Sequence, residues 1–566
     1  MTSNLRNRDQ VDPITLEVIR HALAAAAEEM NVNLVRTAYG PNIKERRDCS
    51  CALFDADGGL VAQAESIPVH LGAMPYSVAA VRRQIAKLDE GDVAVVNDPF
   101  AGGAHLPDMT FVAPVCVEGE TLGYAASRAH HSDIGGKSPG SVAGDATEIF
   151  QEGLRIPPLR LWERGALRHD VMRLILANVR TPEERKGDLQ AQYAACITGV
   201  RRMTALAQRH GAGWLSRAMS AVQDYSERRM REQVRRIPDG EAFFEDVLDD
   251  DGAGNRNIRI ACRVGIDGDA VLVDFAGSSP QVDGPINAVE AVTASAVYYV
   301  LRAVTDPSIP PNAGCYRMLA IHAPPGSIVN ALPPAAVVGV NLETSQRIVD
   351  CLLGAFHTLC PGRGMAACQG TMNNLTIGGT DPRTGRPYAL YETIAGGMGA
   401  RPEADGIDGI HTHMTNTLNT PVEALEIAYP LRVVRYELIA DSGGNGMHRG
   451  GMGVRRDLTP IAHTAHASLL TDRRESAPYG VDGGWEGARG ENVLIKGDHE
   501  ETRLPGKAVL KIRGGDVLSV RTPGGGGFGP PEKRSSTLRK RDQTEERVTG
   551  QTAYPTTDLS NERSTR

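Results

Sequence analysis

A chain of 566 residues with 41% hydrophobic and 23% charged positions reads as a globular protein of several folding units, long enough to bury an extensive core. A net charge of -8, with Lys and Arg interspersed among acids, offers no basic stripe and excludes nucleic acid as a partner. The polar start MTSNLRNRDQVDP and the want of any apolar run of about 18 residues argue against a signal peptide and a membrane span, so the expected location is the cytoplasm.

Asp12-Pro13 opens a helix, and Ile19, Leu23, Ala26, Met30 and Leu34 recur at spacings of three and four, marking one buried face. CALFDADGGLVAQ (51–63) reads as two strands around an Asp-Gly-Gly turn, and DVAVVNDPF (92–100) as a buried strand entering a loop. From Thr181 to Arg236 the period is helical, with basic runs forming a solvated face. IRIACRVGIDGDAVLVDFAG (258–277) alternates around Asp267-Gly268 as a hairpin, and a helix runs from Ser345 through His357 to the Pro361-Gly362 stop. The last third is strand-like between glycine clusters, which read as tight turns. These elements predict a mixed α+β, multi-domain chain with a helical middle segment and a β-rich, glycine-rich C-terminal third. The expected divisions are a mixed α/β region over 10–160, a helical segment over 161–240, an α+β region over 241–400, a β-rich region over 401–530, and a disordered tail over 531–566. Nine scattered cysteines without a CxxC pair indicate neither a disulfide framework nor a zinc knuckle.

The stretch NDPFAGGAHLPD (97–108) carries the chemistry. MTFVAPVCV (109–117) and TLGYAASRAHH (121–131) flank Glu118-Gly119-Glu120, so a hairpin centred on Gly119 pairs residues whose numbers sum to 238. Asp108 then faces His130, and His105 faces Asp133. Two imidazoles and up to two carboxylates converge, a composition suited to a catalytic divalent ion with open coordination positions. Adjacent strand residues point to opposite faces, so His130 is favoured over His131, although a one-residue slip in register would exchange them. The alternative is a rim of histidines hydrogen-bonded to aspartates without metal.

Other candidates carry less. GGKS (135–138) lacks the first glycine and the leading strand of a phosphate-binding loop, and no GxGxxG follows a strand, so no nucleotide fingerprint survives. DGIDGIHTHMTN (405–416) sets His411 and His413 on one strand face, as a second polar site or as satisfied loop histidines. Asn341, Glu343, Ser345, Gln346 and Arg347 gather at a helix N-terminus, where capping is the expectation and an anion the alternative.

With these residues in place, the chain resembles the hydantoinase B/oxoprolinase family. The matching stretches are NIKERRDCSCALFDADG, IPVHLGAMP, NDPFAGGAHLPD, HHSDIGGKSPGS, NLETSQRIVD, GGMGARPEADG and DSGGNGMHRGGMG. The resemblance implies ATP-dependent opening of a cyclic amide, a hydantoin or lactam, after a hydantoinase A-like ATP-binding partner phosphorylates the amide oxygen. By the same resemblance His105, Asp108 and His130 ligate a divalent ion (Mn, Zn or Fe), with His131 and Asp133 as catalytic groups orienting a ligand imidazole. Related ketone carboxylases share the two-part architecture, which makes an ATP-dependent carboxylase subunit the second expectation and a non-catalytic scaffold subunit the third.

Overall fold

The computed structural model of the protein describes residues 12–550 except Glu65 and Asp498. The first helix, Pro13–Thr37, begins where Asp12 accepts hydrogen bonds from the Ile14 and Thr15 backbone N–H groups, satisfying donors that the helix itself leaves free. Its buried face holds Ile19, Leu23, Ala26, Met30 and Leu34, as the spacing requires, and packs on the helix Pro182–His210. Among the described residues no helix is long and apolar enough to cross a membrane.

The first sheet contains β1 (Cys49–Asp55), β2 (Leu60–Gln63), β3 (Val93–Val96), β4 (Asp108–Val117), β5 (Glu120–His130), β6 (Leu159–Glu163) and β7 (Ala166–Leu167), in the order β2-β1-β5-β4-β3-β6-β7. The β4–β5 hairpin occupies its centre, and both strands are buried except near the turn. That turn has two residues, Glu118 and Gly119, both with positive φ (54° and 85°), the conformation whose twist matches a hairpin. A bulge between Val115 and Cys116 then shifts the register by one, and from Val115↔Gly123 onward the pairs sum to 238, ending at Asp108↔His130. The expected register at the site is therefore correct, reached by a shorter turn plus a bulge.

A second sheet follows from β8 (Gly240–Asp250), β9 (Arg256–Asp267), β10 (Ala270–Asp274) and β11 (Leu319–His322). Against it lies the helix Ser345–Leu359, buried along nearly its whole length. The C-terminal third supplies β12 (Asn374–Thr380), β13 (Pro387–Thr393), β14 (Leu431–Leu438), β15 (Val454–Pro460), β16 (Thr464–Leu470), β17 (Glu491–Ile495), β18 (Glu501–Leu504), β19 (Lys507–Arg513) and β20 (Val517–Arg521). They form two sheets, β13-β12-β16-β19 and β14-β15-β20-β17-β18. The mixed helix-and-sheet class stands, but two expected boundaries do not coincide with the sheets. The one at 160 runs through β6, and the one at 400 separates β12 and β13 from their partners β16 and β19.

Two further expectations are corrected. The tail expected from 531 folds at least as far as 550, with a helix over Ser536–Thr544 and with Arg534 and Asp542 buried together. Arg534 also pairs with Asp405, so charge rather than apolar area anchors this segment, and apolar content is the wrong guide to it. The glycine clusters, in turn, are mostly close-packing devices. In Gly524–Gly527 successive N–H groups donate to Ala488, Gly451, Ala367 and Trp485, so residues three apart return to the same neighbouring segment. That is the three-residue period of a polyproline II-type helix. A Cβ on Gly525 would lie 2.1 Å from the Met398 carbonyl oxygen.

Gly525→Ala is accordingly expected to cost about 3 kcal/mol or more in denaturant melts, since the obstruction is backbone and cannot swing away. Gly213→Ala, where the nearest atom is Arg217 Nη1 at 3.9 Å, should be neutral or stabilise by up to about 1 kcal/mol. Equal responses at the two positions would contradict this packing.

Candidate metal centre

His105 and Asp108 are brought together by a tight turn in which the Asp108 N–H donates to the His105 carbonyl at 3.1 Å. Asp108 then starts β4 opposite His130 at the end of β5. The next N–H along, that of His131, donates to the Pro107 carbonyl, while the His130 N–H donates to the Asp48 carbonyl in the chain entering β1. Asp108 and His130 are thus a non-hydrogen-bonded pair, the closer of the two antiparallel spacings.

Three donor atoms converge. His105 Nε2 lies 3.2 Å from His130 Nδ1 and 3.3 Å from Asp108 Oδ1, and the latter two are 3.5 Å apart. The His105 Nδ1–H donates to the Val338 carbonyl at 2.9 Å, which leaves the lone pair of Nε2 facing the cluster. Asp108 Oδ1 is buried without a hydrogen-bond partner. The unpartnered Asp108 Oδ1 and the His105 Nε2 lone pair facing it favour a cation, or a proton carried by an imidazole, between these atoms. A tetrahedral ion about 2.0–2.2 Å from each ligand has ligand–ligand edges of about 3.3–3.6 Å, so the observed triangle fits a divalent first-row ion. The free volume among the groups is about 20 Å³, room for one water-sized occupant.

The other Asp108 oxygen, Oδ2, accepts from Asn341 Nδ2 at 2.7 Å and lies 3.5 Å from His70 Nε2. Burial pushes the Asp108 carboxyl up, but the His105 and His70 imidazoles outweigh it and hold the group well below the usual carboxylate range. His130 is stacked on Tyr391, with centroids 4.3 Å apart and planes at 10°. Tyr391 is fixed by a chain in which its hydroxyl donates to Asn374 Oδ1 and Asn374 Nδ2 donates to Glu343 Oε1. Asn42 Nδ2 holds the His130 carbonyl at 2.7 Å.

The remaining expected groups are not brought to this cluster. His131 turns to the opposite face and donates from Nε2 to Gln192 Oε1 at 2.9 Å, and burial, with nearby Arg185, depresses its pKa to about 4. Asp133 accepts from the Gly135, Gly140 and Arg180 N–H groups and from the Arg180 guanidinium. The pairing rule does not extend to His105 and Asp133 because β5 ends at His130. The group that orients His105 is a backbone carbonyl, and those that orient Asp108 are Asn341 and His70. The capping expectation for Asn341 fails as well: it lies in a π-helical turn, Val340–Thr344, with no side-chain cap. Such turns are rare and recur at functional sites. His413 is paired with Asp350 at 3.3 Å, in a loop and not on a strand.

Sequence reasoning does not single out His70, Asp48 or Tyr391, all of which line the cavity. His70 and Asp48 lie in the motifs IPVHLGAMP and NIKERRDCSC, and only that membership marks them.

The fold and the cluster together define a mixed α/β protein with a buried two-histidine, one-carboxylate centre of metal-binding geometry. The chain belongs to the hydantoinase B/oxoprolinase family, whose model matches residues 12–531. It is 38% identical to 5-oxoprolinase 1 of Arabidopsis thaliana, over 93% of this chain and 43% of that protein, so it spans about two fifths of that relative's length. It is 32% identical to a putative D-/L-hydantoinase subunit of Pseudomonas sp. strain NS671, covering 93% of this chain and 91% of that one. The structure superposes on the ATP-dependent caprolactamase of Pseudomonas jessenii with a TM-score of 0.89 and 32% identity, covering 95% of each chain.

One buried acid connects this centre to stability. Glu152 Oε1 accepts from the Val337 and Val338 N–H groups, both at 2.8 Å, fixing the backbone that orients His105. Burial pushes its carboxyl from 4.5 up to about 8 against those two bonds. The folded protein holds this proton more tightly than the unfolded chain, so the stability it contributes is full below pH 4.5 and is lost as pH rises towards about 8. Glu152→Gln keeps an acceptor and removes the titration. Chemical denaturation of the variant is expected to lose less stability over that interval than the parent protein; parallel pH profiles would contradict the assignment.

Proposed function

We propose that this chain is the ring-opening subunit of an ATP-dependent cyclic-amide hydrolase, with a hydantoinase A-like partner supplying ATP and phosphorylating the amide oxygen. The observation that carries this reading is the convergence of the buried His105 Nε2, Asp108 Oδ1 and His130 Nδ1 in one small cavity. Similarity to a caprolactamase over nearly the whole of both chains supports the reaction class. The partner is supported by the naming of the hydantoinase relative as one subunit and by the extra length of the 5-oxoprolinase.

The net reaction consumes a cyclic amide, ATP and two waters and yields the ring-opened acid, ADP and phosphate: one water attacks the phosphorylated amide and the ring nitrogen departs to leave an acyl phosphate, which the second water hydrolyses. An unactivated amide resists attack because its nitrogen donates into the carbonyl; a phosphoryl group on the oxygen makes the carbon electrophilic. A divalent ion held by His105, Asp108 and His130 would lower the pKa of a water beside it towards neutrality. The protein's own groups hold that geometry: Val338 fixes the His105 tautomer, Asn341 turns Asp108, and Tyr391 sets the plane of His130. Asp48 Oδ2, 4.0 Å from His130 Nδ1, and His70 are the further titratable groups facing the same space, placed to receive a proton from water or pass one to the departing ring nitrogen.

The test is ATP consumption by the chain with its cognate partner against lactams, hydantoins and ketones, each with and without bicarbonate. Turnover of a cyclic amide without bicarbonate is expected. Turnover only of a ketone with bicarbonate would replace this reading with carboxylation. Asp108→Asn and His130→Ala should each lower turnover by at least about 100-fold and lose bound metal, while still assembling with the partner. Full activity in both variants would leave the chain a scaffold.

A further inference from the structure

The metal-site cavity is too small for any substrate ring: about 20 Å³ holds a single water, and even a five-membered lactam has six non-hydrogen atoms. Reaction at this centre therefore requires an adjoining space. An open pocket of about 340 Å³ lies beside it, at the small end of the range of about 300–1,000 Å³ typical of small-molecule sites. Ile67 lines both this pocket and the metal cavity. Its neighbours divide between the two sides: Ser66 and Pro68 face the outer pocket, Val69 and His70 the metal. The second wall divides likewise, with Asn416 outside and Met414 and Thr415 inside.

The backbone of this partition is fixed. The Val69 N–H donates to the Met414 carbonyl at 3.1 Å, the Val69 carbonyl accepts from Ser295 Oγ at 2.8 Å, and the Ile67 N–H donates to Ser50 Oγ at 3.4 Å. What can move without breaking those bonds is the Ile67 side chain, which is itself 5% exposed. The outer pocket offers apolar surface from Pro68, Leu71 and Pro307 and amide groups from Gln63 and Asn416, together with Tyr299 and the Arg302 guanidinium, which donates to the Pro307 and Ile309 carbonyls. The apolar walls suit the hydrocarbon ring of a small cyclic amide, and the Gln63 and Asn416 side chains offer the donors and acceptors that its paired N–H and C=O require.

We propose that the outer pocket is the ring-binding subsite for a small cyclic amide, and that Ile67 is the partition whose side chain sets the size of ring admitted to the metal centre. The proposal rests on the metal reading above and assigns to this chain a residue that governs substrate size without ligating metal.

Its test separates access from catalysis. In the metal-loaded complex with its partner, dipicolinate, a small planar chelator, reports how readily a ring-sized molecule reaches the ion. Ile67→Ala is expected to release metal several-fold faster than the parent protein, Ile67→Val to lie between them, and Ile67→Phe to be slower, with equal metal content at the start. In turnover, Ile67→Ala should raise kcat/KM for an alkyl-substituted lactam relative to the unsubstituted ring by about tenfold, the scale on which a pocket discriminates one or two methylenes. Leu71→Phe, which narrows only the outer pocket, should raise KM and leave metal content unchanged. Equal release rates across the Ile67 series with normal metal content would overturn the partition alone. Absence of metal from the parent complex would overturn the metal reading and this proposal with it.

Discussion

The site depends on one cross-strand pair. Asp108 and His130 sit opposite each other at the narrow, non-hydrogen-bonded spacing of an antiparallel ladder, and that ladder is the centre of a seven-stranded sheet. Side chains so close, on a backbone held from both sides, cannot drift apart as they would on a loop. His105 is added by a single tight turn preceding β4, so three donors come from two short pieces of chain. The bulge at Val115 is what brings the register to this pair: without it, the two-residue turn would set Asp108 opposite Ala129, and the carboxylate would face a methyl group instead of an imidazole.

Around that pair the chain brings in distant segments, each for a different physical reason. The π-helical turn over Val340–Thr344 directs Asn341 at Asp108 while the buried helix after it stays anchored in the core. Arg46, fully buried, donates to the Tyr391 carbonyl and lies 5.0 Å from that ring's centroid, so the aromatic surface under His130 is held from behind. The glycine segments let backbones approach without side chains between them, and they join parts of the chain more than a hundred residues apart, such as Met398 and Gly525.

Much of this is legible in the sequence. Periodicity locates the first helix, the helical middle and the two hairpins, because amphipathic spacing and turn residues act locally. The sum rule places Asp108 opposite His130 because the expected longer turn shifts the register by the same one residue as the observed two-residue turn with its bulge. It fails for Asp133, which lies past the end of the ladder, where only tertiary contacts decide direction. His70 and Asn341 are remote in sequence and have no local periodic signature; Asn341 resembles a cap because short polar residues beside a helix usually are caps. Glycine clusters read as turns for a similar reason: local preference is visible in one sequence, and close approach of another backbone is not. The segment after 531 escapes such reading because its anchors are the ionic contacts of Arg534, which depend on partners far away in the chain.

The proposed ring-opening reaction requires a divalent ion between His105, Asp108 and His130. X-ray absorption at the metal edge of the purified, metal-loaded complex tests this most directly, with metal stoichiometry measured on the same sample. The expected result is one ion per chain, with two imidazole nitrogens and a carboxylate oxygen at about 2.0–2.2 Å, lost in Asp108→Asn. A stoichiometric ion with sulfur ligands, or a spectrum unchanged by that substitution, would contradict it.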